Sequence, residues 1–105
     1  MTGSDEKTAS QLAEVWQRNR ALVEERLALL DRTASAAEAG TLMDELRQEA
    51  GGAAHKLAGS LGMYGFDEGT RIAREIEVVL GEGGPDPVQL GDLVTALRKA
   101  ILPAG

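Results

Sequence analysis

Glycine and proline divide this chain into four stretches in which apolar residues recur every three or four positions. That punctuation limits the fold more than any other feature, because a helical period broken at intervals describes separate packed helices. The first stretch begins near Thr8 or Ser10 and places Leu12, Val15, Trp16, Val23, Leu27, Leu30 and Ala34 on one stripe. Asn19 and Arg26 interrupt the stripe, which allows a kink near Gln17–Arg20 or a short first helix leading into a longer one. Gly40 stands where a C′ glycine would end this segment. Thr41 with Asp44 three residues later has the spacing of a capping box, and the second stretch runs from there to about Met63. Its Gly51–Gly52 pair is compatible with a break. Gly65 ends the stretch or turns the chain, and Asp67 is a candidate cap for the third, which carries Ile72, Ala73, Ile76, Val79 and Leu80. Gly81 to Pro85 is too rich in glycine to remain helical. Asp86-Pro87 then reads as an N-cap followed by proline at the first helical position. Leu90, Leu93, Val94, Leu97 and Ile101 follow as an apolar face, with Gly91 a weak point and Pro103 closing the helix.

Four amphipathic helices with short connections predict an all-α, antiparallel four-helix bundle, with a short or kinked segment at its N-terminus. The length of 105 residues fits one domain, over residues 8–105, after a polar lead-in at 1–7 expected to be disordered. Aromatic residues make up only 3% of the chain (Trp16, Tyr64 and Phe66), so the core must be aliphatic, which suits helices better than a β-sandwich. No strand alternation is present.

Net charge is −6, which argues against nucleic acid or an anionic membrane surface as the main partner, since both require a basic footprint. There is no cysteine, hence no disulfide framework and no thiolate metal site. A single histidine without His-x-x-x-His spacing gives no metal site either. No run of about 18 apolar residues exists, and residues 1–7 lack the apolar segment of a signal peptide. A soluble, monomeric, cytoplasmic protein is the expectation.

The single histidine is the residue with most chemical content. On a wheel of roughly 100° per residue, Leu42, Leu46, Ala50, Ala53, Leu57, Leu61 and Tyr64 form one arc, and its centre lies opposite His55. The imidazole therefore points away from the core. Gly51, Gly52, Gly59 and Gly62 lie within two turns of it. Solvent-facing glycine in a helix costs about 1 kcal/mol against alanine, so several together suggest ground cleared for a partner's close approach. The plainer reading is an idle surface histidine beside a helix break. Against it, a neutral exposed imidazole keeps a nucleophilic lone pair, and low neighbours leave room for in-line approach by a phosphoryl donor.

Ala54-His55-Lys56-Leu57-Ala58-Gly59-Ser60, followed by Gly62 and by Gly65 ten residues after the histidine, resembles the signature of histidine-containing phosphotransfer (HPt) domains. Ala73 and the Ile76-Glu77 pair also fall where that family has a small residue and then an aliphatic-Glu pair, so the likeness spans Ala54 to Glu77. The resemblance implies that His55 is the phosphorylated residue and that Gly59 leaves space for the partner's active site; Gly52 and Gly62, on the same cleared ground, are candidate docking residues. It further implies that Leu57 is core, that Ser60 serves local packing, and that Gly65 permits the turn between helices. The family's usual lysine, three residues after the histidine, is Ala58 here. Lys56, about 100° around the helix, and Gln48, two turns before His55, are candidate substitutes near the phosphoryl group. Such a domain is a phosphoryl carrier without kinase activity of its own. It binds no cofactor; a response-regulator receiver domain brings the accepting or donating aspartate with Mg²⁺, and a hybrid histidine kinase is the other implied partner.

The alternative is a helical adaptor that binds a receiver or kinase without being phosphorylated, motivated by Ala58. An enzyme with its own active site has little support, since no acid–base pair or metal cluster can be assembled. Gly59 to Gly65 is glycine-rich but lacks the Gly-Lys-Ser/Thr of a nucleotide phosphate loop. Trp16 reads as core or as a docking aromatic, Arg71 and Arg74 as the solvated face of the third helix, and Met63 as packing or the border of a docking surface.

Overall fold

The computed structural model describes the backbone of residues 2–101 and the side chains of Gln11 and of residues 14–101. The expected stop at Pro103 and the side chain of Leu12 lie outside the described residues. Four helices run in order: α1 over Thr2–Ala39, α2 over Asp44–Met63, α3 over Asp67–Gly81 and α4 over Pro87–Ile101. Each packs on its neighbour in sequence and α4 packs back on α1, the closed ring of an antiparallel four-helix bundle. The α2–α3 contact is the most extensive. Among the described residues no helix is long and apolar enough to cross a membrane.

The first helix departs from the sequence reading. It is uninterrupted from Thr2 to Ala39, so there is neither a separate short helix nor a non-helical stretch over residues 2–7. Its 38 residues, at about 1.5 Å per residue, account for the molecule's long dimension of 57 Å. Asn19 interrupts the apolar stripe without bending the rod, because its Nδ2 donates both to the Val15 carbonyl (2.9 Å) and to the Tyr64 hydroxyl (3.0 Å). Trp16 lies between Tyr64 and Phe66, with ring centroids 5.2 and 5.0 Å away. The chain's three aromatic residues thus form one cap where α1 passes the α2–α3 turn.

Two glycines act as the sequence predicts. Gly40, at φ 73°, is the C′ residue of α1; the Thr41 amide donates to the Ala36 carbonyl and the Gly40 amide to that of Ala37. Gly65, at φ 81°, closes α2 by the same pattern, with Phe66 N–H to Leu61 O and Gly65 N–H to Gly62 O. Thr41 is therefore spent on the end of α1, its hydroxyl also donating to Ala36 O (3.3 Å), and the expected capping box at α2 does not form. Met43 holds the N-cap position without a side-chain hydrogen bond, and Asp44 and Glu45 face the positive end of the helix dipole. Asp67 likewise sits in the first turn of α3 behind Phe66 and is no cap. Asp86 does cap α4: its Oδ1 accepts from the Val88 amide at 3.0 Å, ahead of Pro87 at the first helical position. α2 passes through Gly51–Gly52 and α4 through Gly91 without a break.

The core is aliphatic. Val23, Leu27 and Leu30 from α1 meet Leu57 and Leu61, Ile76 and Leu80, and Leu90 and Leu97 from the other three helices. Arg47 ties the start of α2 to the end of α3 through the Leu80 carbonyl, and Arg98 on α4 pairs with Asp31 on α1.

Candidate functional site

The imidazole of His55 does face outward: its side chain is 74% exposed. Its position on the helix is more particular than the wheel implies. Besides the expected arc, α2 buries Ala54 and Ala58, so its apolar surface rolls toward α3. His55 consequently stands at the rim of the α2–α3 seam, next to α3, rather than alone in the middle of a bare face.

Glu77 of α3 comes to meet it there. His55 Nδ1 and Glu77 Oε2 are 2.9 Å apart. His55 and Glu77 are each eleven residues from Phe66, at the centre of the α2–α3 hairpin, and Gly62 and Thr70, where a Cβ added to the glycine would lie 3.6 Å from Thr70 Oγ1, are each four residues from it. An antiparallel pair of helices joined by a tight turn brings such equidistant residues level. A neutral imidazole bonded to a carboxylate through Nδ1 must carry its proton there and donate it, so Nε2 keeps its lone pair. Sequence reading missed this partner. It placed Glu77 within the family's aliphatic-Glu pair, although the count from the turn at Gly65 and Phe66 would have paired it with His55.

Between the start of α2 and the end of α3 lies an open hollow of about 540 Å³, lined by His55, Gln48, Gly51, Gly52, Lys56 and Glu77, with Arg47, Leu80 and Gly81 at its edge. Of the expected site residues, Gln48, Gly52 and Lys56 are thus brought to His55. A Cβ on Gly51, Gly52 or Gly59 would meet nothing within 4 Å, so no packing demands glycine at these places. Gly59 is exposed one turn beyond His55. Gly62, another turn on, lines a different groove with Thr70, Arg71, Arg74 and Val78. Met63 beside it is 81% exposed and packs on nothing in the core. Leu57 is fully buried, Ser60 is half-buried, and Gly65 makes the turn.

Ala58 is 5% exposed and belongs to the core cluster. Its carbonyl accepts a hydrogen bond from Thr70 Oγ1 on α3 (3.4 Å). This position therefore adds no charge beside His55 and lies under α3. On α3, Arg71 is held between Glu68 and Glu75. Its hydrogen bond holds the Glu68 carboxyl below the ordinary carboxylate value, and the same contact raises Arg71. Arg74, one turn on, is exposed and has no ion-pair partner among the described residues. Nor, among the described residues, do three or more His, Asp or Glu side chains gather as a metal site would require.

Comparison with known proteins identifies the family. The family model described as Hpt domain matches residues 14–101. Protein RcaC of Microchaete diplosiphon is 31% identical in an alignment of 96 residues that covers 86% of this chain but 14% of that protein's length. No solved structure matches. Members of the matched family work with receiver domains and histidine kinases in phosphorelays. Since the matched span takes in nearly the whole bundle, from the aromatic cap to the last turn of α4, the chain belongs to the Hpt domain family and has a histidine phosphotransfer role in two-component signalling.

Proposed function

We propose that His55 carries the phosphoryl group, on Nε2, to or from the aspartate of a receiver domain. The observation that supports this reading is the 2.9 Å bond from Nδ1 to Glu77 on a ring that is otherwise open to solvent. Glu77 leaves a single ring nitrogen with a lone pair and aims it outward. In the forward step Nε2 attacks the phosphorus of the receiver's aspartyl phosphate. The new N–P bond forms as the P–O bond to the aspartate breaks, and the freed carboxylate leaves without a proton transfer. The ring becomes a phosphoimidazolium with its Nδ1–H still on Glu77, whose negative charge opposes the positive charge that develops. Return of the group reverses each step.

Charge on the transferred group must be neutralised in the transition state, and Mg²⁺ held by the receiver's carboxylates supplies that chemistry. Lys56 and Gln48 line the hollow beside the ring and are the docking residues on that side, with Gly52, Gly59 and Gly62 as the low ground a receiver rests on. The same reading has the bundle act as a cytoplasmic monomer without kinase activity of its own.

The test is transfer from a phosphorylated receiver with Mg²⁺. Acid-labile, base-stable label should appear on the chain and be absent from His55→Gln. A bundle that binds receivers yet takes up no label from any of them would be an adaptor, and the carrier reading would fall.

A further inference from the structure

We infer that Arg74, on α3, is the cation that binds the phosphoryl oxygens of phospho-His55, in the place that Ala58 leaves without a charge. The inference rests on the carrier reading of His55.

Two contacts bracket Arg74 along the α2–α3 seam. Four residues before it, Thr70 bonds the Ala58 carbonyl; three residues after it, Glu77 bonds the His55 ring. Residues three and four apart share a helix face, so Arg74 stands on this edge of α3, level with the stretch of α2 between Ala58 and His55. The count from Phe66 agrees, since Ala58 and Arg74 are each eight residues from it. On the α2 side no bulky group intervenes: Gly59 has no Cβ, and one placed there would meet nothing within 4 Å. An arginine side chain is long enough to cross from one helix to the next, and its planar fork suits two phosphoryl oxygens.

The charge is also available. Arg71 spends its guanidinium on Glu68 and Glu75, and Arg47 on Asp44 and the Leu80 carbonyl. Arg74 has no such partner among the described residues; Glu77, three residues on, is engaged with His55, and Glu75 with Arg71. Asp67, Glu75 and Glu82 line the same groove as Arg74 without pairing with it, and a dianionic group on Nε2 would be a stronger anion than any of them.

The experiment labels His55 chemically, so that it does not depend on finding the right receiver. Phosphoramidate donates its phosphoryl group to Nε2 as its own P–N bond breaks and ammonia leaves. The Arg74 Nε–H signal in a ¹⁵N spectrum should shift on labelling while that of Arg71 stays in place; an unmoved Arg74 signal overturns the inference. With a receiver in hand, the equilibrium between aspartyl phosphate and phospho-His55 should move about fivefold toward the receiver in Arg74→Met, the modest factor expected of an exposed pair. Arg74→Lys should recover most of it, and Arg71→Met should change nothing. A shift of the same size in Lys56→Met with none in Arg74→Met would assign the role to Lys56 instead. Equal melting temperatures among these exposed-site variants separate the effect from a loss of fold. If wild-type protein takes label from phosphoramidate but never from a receiver, the carrier reading has failed; if receivers label it and Arg74 is silent, only this inference has.

Discussion

At the scale of single residues, the proposed transfer turns on one hydrogen bond between two helices. On that reading Glu77 sets which ring nitrogen of a neutral His55 is protonated and would oppose the charge that phosphorylation creates. Glu77→Gln keeps an acceptor for Nδ1–H but loses the charge, so transfer should slow by a few-fold. Glu77→Ala loses both and should slow single-turnover transfer by about tenfold, the usual lower range for removing the partner that orients a working histidine. Both should fold normally, since the pair is largely exposed and such pairs add little stability. Equal rates for all three proteins would mean that the ring needs no partner. The position of Ala58 shows why a family pattern must be read on its own backbone. In this chain it is under α3, and a lysine introduced there would have to run its stem along the seam to reach water.

At the scale of the helices, glycines of the α2–α3 hairpin divide into two kinds that sequence alone makes look the same. Gly59 faces open space, and its lack of a side chain matters only to a partner. Gly59→Ala should stabilise the bundle by about 1 kcal/mol through helix propensity. Gly59→Leu should fold equally well by circular dichroism yet slow transfer from a receiver at least tenfold, and normal transfer in that variant would contradict the cleared-ground argument. Gly69 is the opposite case. It is buried, and a Cβ there would lie 3.3 Å from Leu61 Cδ1 and 3.4 Å from Ile101 Cγ1. Gly69→Val should therefore cost about 2 kcal/mol by overpacking, seen as a lower midpoint in urea with an unchanged slope.

At the scale of the molecule, α1 is a continuous rod against which α2 and α4 pack. Trp16 anchors it to the α2–α3 turn through Tyr64 and Phe66, and Asn19 adds the bond to the Tyr64 hydroxyl. Trp16→Ala should cost about 2 kcal/mol, less than for a fully buried tryptophan, and lower the melting temperature by roughly 8 to 16 °C. His55 should still take label below that temperature, because the seam that holds Glu77 in place is formed by α2 and α3 alone. Loss of labelling in the folded variant would show that the aromatic cap also sets the register of the site.

Much of this was legible beforehand, and the parts that were share a physical cause. Helix number, the glycine stops at Gly40 and Gly65, the Asp86-Pro87 start of α4 and the outward direction of His55 all follow from forces acting within about one turn of chain: backbone sterics, capping and the side a residue faces. Local rules misjudged Thr41 and Asp67, where two helix ends compete for the same few residues and the preceding C-terminus claimed the chain. The continuity of α1 through Asn19 was likewise out of reach, because the hydroxyl that accepts its hydrogen bond is on Tyr64, 45 residues away. The sequence by itself determined four amphipathic helices and an exposed imidazole. Only the tertiary structure decided what stands beside that imidazole, because the partners of His55 and Ala58 come from α3, and the register of two packed helices is set by the turn and the core together.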